Sequence, residues 1–456
     1  MIRRIPFQIK EIHDILRNAG FDCYVVGGAV RNLVLGTPPK DWDLASNAQP
    51  DHVMKLFRKV IPTGVLHGTV TVLYKGLHVE MTTFRIDGSY SDSRRPDSVE
   101  YTSSLLEDLK RRDLTINSMA LNIETGEIID PHDGRGDCKR KLVRAIGIPE
   151  ERFDEDGLRI LRALRFAGRL GFSIEPSTFA AMKSRAKNLL GISAERIRME
   201  LEGILESEKP SVSFQGMAET GVLRLILPEL DACRGVEQRE LHLFDVFTHS
   251  ILACDAAPAR DQGLRLAALL HDIGKPPVRG EGEDGLPRFH GHESESARLA
   301  WNILQRLKFP SAVIKRVSHL IAQHMFSYDS TWSDAAVRRF IIRVGRENLE
   351  DLFTLRTADA QGMRNLPADA RGLEELRQRV SSVLSREEAL SLKDLKVSGD
   401  DIKKTLVLPP GPAVGKILGF LFESILEDPA LNEREKLLHI AKNFYTTRLQ
   451  TGAEKI

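Results

Sequence analysis

The feature that most constrains the fold is the order of residues 24–46, YVVGGAVRNLVLGTPPKDWDLAS, where an apolar strand, a Gly-Gly pair, a helix and an Asp-x-Asp pair follow one another. A strand that turns into a helix through Gly27 and Gly28 lets backbone N–H groups approach a phosphate closely. Arg31 follows one helical turn later, where its guanidinium can donate to two phosphate oxygens. The stretch therefore predicts an α/β unit that binds a phosphorylated ligand.

Asp41 and Asp43 add a second constraint, because residues i and i+2 of a strand point to the same face of a sheet. Two carboxylates placed side by side repel each other unless a divalent cation lies between them. The alternative is an ordinary polar turn, which a PPKDWD segment can also form. We expect a strand here, and with it a metal site beside the phosphate-binding turn.

Strand patterns are confined to the first third of the chain. An amphipathic helix that ends near Gly20 precedes the strand CYVV, and TVTVLY and LHVEMTTF predict a hairpin around Lys75 and Gly76. Further short strands are expected at SVEYT, SMALNI and EIID. From residue 150 the pattern is helical nearly to the end, with breaks at glycines and prolines. The fold class is therefore α+β, an α/β head followed by an all-α body.

Composition narrows the class of protein further. The chain has 456 residues, of which 65 are basic and 64 acidic, so the net charge of +1 neither requires nor excludes a polyanion partner. No apolar run reaches the roughly 20 residues of a membrane span, and the N-terminus lacks the apolar stretch of a signal peptide. The four cysteines lie far apart without a CxxC pair. We expect a cytoplasmic protein with no membrane association.

Four segments together resemble a known family. GGAVRNLVLG…KDWDLA, HGTVTVLYKGLHVEMTTFR, RRDLTINSMALN and DEDGLRILRALRFAGRLGF follow one another, within residues 20–230, as in the class II tRNA nucleotidyltransferases, the CCA-adding and poly(A) polymerase family. The resemblance implies tRNA, CTP and ATP as partners and Mg²⁺ held by Asp41 and Asp43. Glu80 is a candidate third carboxylate, with a surface acid as its alternative. The chain departs from the family at Asn32, where Asp is usual.

The fourth segment is expected to select the base. Asp154 is a good N-cap residue, so we predict a helix that starts there and carries Asp156 and Arg159 as neighbours on one face. A carboxylate and an arginine match the amine donor and ring-nitrogen acceptor that C and A both present, and they mismatch G and U. The resemblance extends the nucleotide-binding set to Arg162, Arg165 and Arg112. An ordinary i,i+3 salt bridge is the alternative.

The polar segment FRIDGSYSDSRRPDSVEY, with Gly88, Ser89 and Tyr90, resembles the flexible loop with which family members switch from C to A. Because enzymes that add only CC are typically shortened here, we expect addition of A. Enzymes that add the whole of CCA and those that add only the last A share these motifs, so that alternative stays open.

A second motif set lies in the helical body. His249, His271 and Asp272 of LLHDIGKP, and Asp359 of RTADAQG resemble the H…HD…D set of the HD phosphohydrolases. The resemblance implies a catalytic divalent metal, for which imidazole and carboxylate ligands suit Mn²⁺, Ni²⁺, Fe²⁺ or Zn²⁺, with Mg²⁺ also possible. His292 and His324 are candidates for a second metal or a phosphate contact, and Lys275 for a phosphate. A helical linker with capping histidines is the alternative.

We therefore predict four units: a polymerase-β-like nucleotidyltransferase head over residues 1–146, a helical base-selecting neck over 147–230, an HD phosphohydrolase-like unit over 231–375 and a helical tail over 376–456. The predicted activity is CCA addition with an added phosphohydrolase activity. Three alternatives are an A-adding enzyme or poly(A) polymerase, an HD nucleotide phosphohydrolase with a sensing head, and a non-catalytic RNA-binding protein. The sequence predicts no oligomeric state.

Overall fold

A computed structural model describes residues 2–87, 99–238, 243–364, 371–386 and 391–449. Its head contains a seven-stranded sheet with the strand order β3-β4-β5-β2-β1-β8-β9. The strands of the described residues are β1 Cys23–Val26, β2 Asp43–Ser46, β3 Val60–Gly64, β4 Thr69–Tyr74, β5 Leu77–Thr83, β6 Arg85–Asp87, β7 Val99–Tyr101, β8 Ala120–Asn122, β9 Ile128–Ile129, β10 Leu142–Val143, β11 Ser173–Ile174, β12 Gly280–Glu281 and β13 Pro287–Arg288. The predicted α+β class is confirmed. The predicted C-to-A loop lies largely outside the described residues.

The centre of the sheet is β2, which pairs antiparallel with β1 and parallel with β5. In that parallel pair Asp43 stands opposite Glu80. The predicted hairpin of β4 and β5 is present, and its turn has Lys75 at φ 44° and Gly76 at φ 84°. Two successive residues in the left-handed region match the twist of the flanking strands. The hairpin thus places Glu80 beside the start of β2.

Helices cover both faces of the sheet. The first helix buries Ile9, Ile12 and Leu16, all 0% exposed, in the main core. A smaller cluster that includes Phe84 and Leu109 forms a separate, second core in the head. The head helices are Phe7–Asn18, Gly28–Val34, Pro50–Leu56, Leu105–Lys110 and Gly134–Arg140.

One prediction about the neck, the helix start at Asp154, is wrong. Asp154 does not cap the base-selecting helix, because Pro149 starts a separate helix, Pro149–Glu155, that contains it. Asp156 then lies in an extended link at φ −146°, and Gly157 precedes the helix Leu158–Leu170. A Cβ at residue 157 would lie 2.7 Å from the backbone of Asn188, so the close approach requires glycine. Asp156 and Arg159 are therefore not two neighbours within one helix.

The remaining neck helices are Pro176–Arg185, Ala194–Leu205, Pro210–Glu219, Val222–Ile226 and Pro228–Asp231. The expectation that sheet structure ends near residue 146 is wrong in detail, because β10 of the head pairs in parallel with β11 of the neck. A second two-residue ribbon joins β12 to β13. Both ribbons are too short to have a recognisable sequence alternation.

The rest of the chain is helical. Its helices are Val246–Ala256, Gln262–Leu270, His292–Arg306, Ser311–Gln323, Asp334–Val344, Leu349–Arg364, Arg371–Ser385, Gly399–Leu406, Pro412–Glu427 and Arg434–Phe444. One continuous core joins the head, the neck and this body as far as Val383, and a separate core begins at Leu395. In the part of the chain that the structure describes, no helix has the length and apolar character of a membrane span.

Candidate functional site

A cleft of about 810 Å³ lies between the head sheet and the neck helices. Ten basic and five acidic side chains line it, including every residue predicted for phosphate, base and metal binding in the head and neck. The structure therefore brings together residues that lie more than 130 positions apart in the sequence. The excess of basic groups suits a polyanionic ligand.

Three carboxylates meet at one edge of the cleft. Asp43 opens β2, Glu80 stands opposite it on β5, and Asp41 lies in the bend before β2 rather than on the strand. Burial raises the pKa of Asp43 to about 6, with Glu80 and Asp41 adding to the rise and Arg112 opposing it. A carboxylate set that disfavours its own ionisation in this way is the environment that a divalent cation relieves.

The Gly-Gly turn lies against this edge. Gly27 has φ 67°, and a Cβ there would lie 3.4 Å from Nη1 of Arg112 and 3.7 Å from Oδ2 of Asp43. Arg112 is itself held by Asp108, 3.0 Å from its Nη2. Gly28 begins the helix that carries Arg31. The glycine backbone thus approaches both the carboxylates and an arginine, as a phosphate-binding turn requires.

Arg31 is 5% exposed and is held by amides. Its Nη1 donates to Oδ1 of Asn117 at 2.6 Å, while Nε and Nη2 donate to Oδ1 of Asn32 at 3.3 and 3.0 Å. Burial lowers the pKa of Arg31 to about 10, and the charge of Arg169 contributes to the decrease. Asn32, where the family has Asp, thus contacts the arginine that precedes it.

The two residues predicted to select the base, Asp156 and Arg159, form hydrogen bonds with other groups of the protein. Asp156 accepts from the backbone N–H of Leu158 at 3.0 Å and from Nη2 of Arg196 at 2.6 Å. Arg159 pairs with Glu155 and donates to the carbonyls of Arg152, at 3.2 Å, and of Arg111, at 2.9 Å. The carbonyl of Arg111 belongs to the head, so Arg159 ties the neck to the head as well as facing the cleft.

Two further arginines of the neck helix are ion-paired. Nε of Arg162 lies 2.7 Å from Oδ2 of Asp113, and Nε of Arg165 lies 2.6 Å from Oε2 of Glu200. Burial alone would raise the pKa of Asp113, but the charge and hydrogen bond of Arg162 lower it to about 2. Both arginines line the cleft, as predicted.

Four polar residues of the cleft or its support were not predicted from the sequence: Asp113, Asn117, Arg196 and Glu200. Asp113 and Asn117 stand in the quoted RRDLTINSM segment and could have been found there, next to Arg112. Arg196 and Glu200 are four residues apart on the helix Ala194–Leu205, a spacing that places them on one face. Only the fold shows that this face meets Asp156 and Arg165.

The HD residues form a second, separate cluster, which we call the HD centre: His249, His271, Asp272, His292, His324 and Asp359. Nε2 of His249 lies 3.0 Å from Nε2 of His271, and each lies 3.3 Å from Oδ2 of Asp272. Oδ1 of Asp359 lies 3.2 and 3.4 Å from the same two nitrogens. All four groups are less than 5% exposed.

The other oxygen of Asp272 faces the remaining two histidines. Its Oδ1 lies 3.3 Å from Nε2 of His292 and 3.9 Å from Nε2 of His324. The three groups form a second set whose ligand atoms lie within 4.8 Å of one another. Lys275 donates to Oδ2 of Asp272 at 2.7 Å and to Oε1 of Gln238 at 2.6 Å. The predicted Lys275 therefore contacts a predicted metal ligand directly.

Backbone carbonyls fix three of these rings. In each of three histidines, Nδ1 donates to the backbone carbonyl of the residue three positions earlier. These hydrogen bonds join His271 to Ala268 at 2.8 Å, His292 to Phe289 at 2.8 Å and His324 to Ile321 at 2.7 Å. A neutral ring that donates through Nδ1 keeps the lone pair on Nε2 for a metal. Burial lowers the pKa of His324 to about 3, which keeps that ring neutral. The donor set of the HD centre therefore fits divalent metal ions.

Known proteins match the chain along its length. The poly A polymerase head domain matches residues 23–144, the probable RNA- and SrmB-binding site of polymerase A matches 171–234, and the HD domain matches 239–365. The CCA-adding enzyme of Geobacillus stearothermophilus is 35% identical over 433 residues, which are 95% of this chain and 96% of that protein. This chain belongs to the family of CCA-adding enzymes.

Other CCA-adding enzymes match the chain over a similar share of its length. The CCA-adding enzyme of Leuconostoc mesenteroides is 30% identical over 97% of this chain and 98% of its own. The crystal structure of the Bacillus stearothermophilus CCA-adding enzyme in complex with CTP is 30% identical, has a TM-score of 0.75 and covers 98% of both chains. A Thermotoga maritima CCA-adding enzyme complexed with tRNA shares the fold at 20% identity, with a TM-score of 0.56 over 96% of both chains. The predicted family and enzyme class are confirmed.

Proposed function

We propose that this chain adds CCA to the 3′ end of tRNA from CTP and ATP, without a nucleic-acid template. The observation that carries the proposal is the meeting of Asp41, Asp43 and Glu80 with the Gly27–Gly28 turn at the edge of a basic cleft. Anionic substrates and a divalent cation both fit this arrangement of charges. The same residues belong to a chain that is related to CCA-adding enzymes over nearly its whole length.

The carboxylate edge suits Mg²⁺, because all its side-chain donors are oxygen atoms. In this proposal Asp41 and Asp43 hold the metal, with Glu80 as the third carboxylate. When bound there, Mg²⁺ would supply activation of the RNA 3′-hydroxyl and neutralisation of charge on the transferred phosphate. The chain's own contribution is positional: the Gly27–Gly28 backbone, Arg31 and Arg112 hold the phosphates in line with the carboxylates.

Base selection falls to Asp156 and Arg159 in this proposal. Each oxygen of the Asp156 carboxylate already accepts one hydrogen bond and can accept another, from the exocyclic amine of C or A. Arg159 retains N–H groups beyond those that Glu155 and the two carbonyls take, and one of these can donate to the ring nitrogen. G and U present a carbonyl and an N–H at these positions, so both contacts become repulsive.

The direct test is nucleotide incorporation into tRNA that ends before CCA, after C or after CC, with labelled CTP or ATP. We expect CTP to extend the first two substrates and ATP the third. Extension by ATP alone, and only of tRNA that already ends in CC, would identify an A-adding enzyme. A long A tail on any RNA would identify a poly(A) polymerase.

The HD centre supports a second activity, metal-dependent hydrolysis of a phosphate ester. His249, His271, Asp272 and Asp359 hold one divalent ion in this proposal, and His292 and His324 hold a second ion or contact the phosphate. Imidazole and carboxylate ligands suit Mn²⁺, Ni²⁺, Fe²⁺ and Zn²⁺, and Mg²⁺ is also possible. Lys275 is placed to bind a phosphate oxygen once Asp272 binds metal. Hydrolysis of a terminal phosphate monoester would free the RNA 3′-hydroxyl for nucleotide addition, and a 2′,3′-cyclic phosphate would first be opened to such a monoester by water.

The test combines metal analysis with hydrolysis of 2′,3′-cyclic AMP and p-nitrophenyl phosphate, assayed with each of the five metals. We expect at least one metal ion per chain to stay bound after mild chelation. We also expect hydrolysis of a substrate with at least one of the five metals. Absence of both bound metal and hydrolysis with every metal would leave the HD centre a structural cluster.

A further inference from the structure

Two arginines of the cleft are buried, and they differ in how their charge is balanced. Arg159, 8% exposed, pairs with the carboxylate of Glu155. Arg31, 5% exposed, has no carboxylate within 4.0 Å among the residues that the structure describes, and its guanidinium is held by the amide oxygens of Asn32 and Asn117. An amide satisfies the hydrogen bonds of a guanidinium without neutralising it. Arg31 is therefore a buried cation whose charge is not neutralised by a carboxylate in contact with it.

The anion that favours the charged form of Arg31 is Asp113, which lies beyond contact distance and offsets the charge only in part. Cζ of Arg31 lies 4.9 Å from the centroid of the Phe166 ring, and the same ring has Cζ of Arg165 at 4.6 Å. An aromatic face stabilises a cation without removing its charge. Arg165 and Arg169 both disfavour the charged form of Arg31. A buried positive charge of this kind is costly unless a ligand supplies the anion.

Asn117 supplies an independent sign of a missing ligand. Its Oδ1 is taken by Arg31, which leaves its Nδ2 as a donor, and this buried Nδ2 has no hydrogen-bond partner. Asn117 is 6% exposed and lines the cleft. A buried donor without an acceptor is destabilising, and a ligand oxygen beside Arg31 would satisfy it.

We propose that Asn117 is a further ligand-binding residue, whose Nδ2 donates to an oxygen of the phosphate that Arg31 binds. The ligand chemistry is a phosphate group, from the nucleoside triphosphate or from the RNA 3′ end. The inference deepens the proposed nucleotidyl transfer and rests on it for the identity of the ligands.

Three isosteric variants separate the parts of this proposal. Asn32→Asp gives Arg31 a carboxylate partner and leaves Asn117 untouched. Asn117→Asp gives Arg31 the same carboxylate and also replaces the Nδ2 donor by an oxygen. Asn122→Asp is the matched control, because Oδ1 of Asn122 only accepts from the backbone N–H groups of Glu124 and Thr125, at 2.9 and 3.1 Å, outside the cleft.

The measurement is equilibrium binding, by titration calorimetry, of CTP and ATP with Mg²⁺ and no RNA, and in a second arm of tRNA lacking CCA with no nucleotide. We expect Asn32→Asp, which restores the residue that is usual in the family, to bind nucleotide within about threefold of the parent chain. Asn117→Asp should bind it about tenfold more weakly than Asn32→Asp, and Asn122→Asp should be unchanged. Thermal unfolding should show both cleft variants at least as stable as the parent chain, because the buried arginine gains a counter-charge.

The binding results distinguish the possible roles of Asn117. Weakening confined to the tRNA arm keeps the site and assigns its phosphate to RNA. Equal binding by Asn117→Asp and Asn32→Asp would reduce Asn117 to a support for Arg31, and unchanged binding of both ligands in both variants would overturn the proposal. Because these arms need no turnover, a failure of nucleotide addition in the parent chain would count against the proposed function and leave the binding result standing.

Discussion

The cleft between head and neck is wide and carries twice as many basic as acidic side chains, whereas the HD centre is closed and consists of histidines and carboxylates. In the cleft several arginines are held by an acid on another element, such as Arg162 by Asp113 and Arg165 by Glu200. In the HD centre three rings are held by the carbonyl of their own preceding turn.

The difference matches the sizes of the ligands that we propose for the two sites. Long-range ion pairs fix the head against the neck and leave room for a nucleotide and an RNA end. Local backbone contacts fix the orientation of individual rings, which suits an ion about 2 Å from its ligands. Changes in the cleft should therefore affect substrate choice, and changes in the HD centre should affect metal content.

The largest effect is expected from the carboxylate edge. Asp43→Asn and Asp41→Asn should each lower nucleotide addition by about a thousandfold or more, because the metal that they hold supplies several kcal/mol of transition-state stabilisation. Binding of tRNA should stay within a few-fold, since basic side chains grip the RNA. Single-turnover incorporation and a filter-binding assay measure the two quantities. Asp51→Asn, in an exposed first helical turn, is the control. Near-normal addition by both variants would remove the proposed metal site.

The next effect tests whether the two sites are independent. His271→Ala combined with Asp272→Asn should lower copurifying metal and any phosphate-ester hydrolysis more than tenfold. CTP and ATP incorporation should change less than twofold, because the two centres share no ligand. Metal analysis and incorporation assays on one preparation provide the readout, with the exposed His439→Ala as control. Parallel loss of both activities would show that the sites are coupled.

Base selection should change by a smaller factor. Asp156→Ala and Arg159→Ala each remove one hydrogen bond to a charged group, so discrimination against UTP and GTP should fall about ten- to a hundredfold. Arg165→Ala should alter base choice less, since Arg165 pairs with Glu200. Incorporation of each of the four nucleotides by itself gives the ratios. Unchanged preference for C and A in both variants would make the pair a scaffold of the head–neck contact.

The smallest effect concerns stability. The pKa of Asp113 is lowered to about 2 in the folded protein, against about 3.9 when unfolded, so its ionised form stabilises the fold by about 2 kcal/mol above pH 4. That stabilisation is lost as the pH falls from about 4 to 2. Asp113→Asn should thus be less stable at pH 7, and the gap should close in acid. The exposed ion pair of Asp154 with Arg185 provides the control. Asp154→Asn should change the free energy of unfolding by less than about 1 kcal/mol at each pH. Denaturant unfolding at pH 7, 4 and 2.5 gives the values.

Much of the fold could be predicted from local patterns. The Lys75–Gly76 turn, the strand before Gly27 and the amphipathic first helix all depend on neighbouring residues, and all are present. The prediction that Asp154 caps a helix was wrong because Pro149 starts an earlier helix and the tight packing at Gly157 breaks it. A short acidic segment before an apolar run does not distinguish one helix from two.

The candidate residues were found by motif, and their roles stay predictions. What sequence could not supply was the set of partners. Asn117 contacts Arg31 across 86 residues, Asp113 contacts Arg162 across 49 and Arg196 contacts Asp156 across 40. Such pairs are fixed by the packing of the neck against the head, and no spacing rule reports them.

The ribbon between β10 and β11 has a consequence for how the chain can be divided. β10 comes from the head, yet its partner Ser173–Ile174 lies beyond the neck helix, and Val143 is 0% exposed. A fragment that stops at residue 146 would leave this strand without its partner and uncover apolar surface. The smallest fragment that folds is expected to extend past residue 174, so the carboxylate edge and the helix Leu158–Leu170 belong to one folding unit. Exchange of a head between two such enzymes should succeed only when the neck is transferred with it.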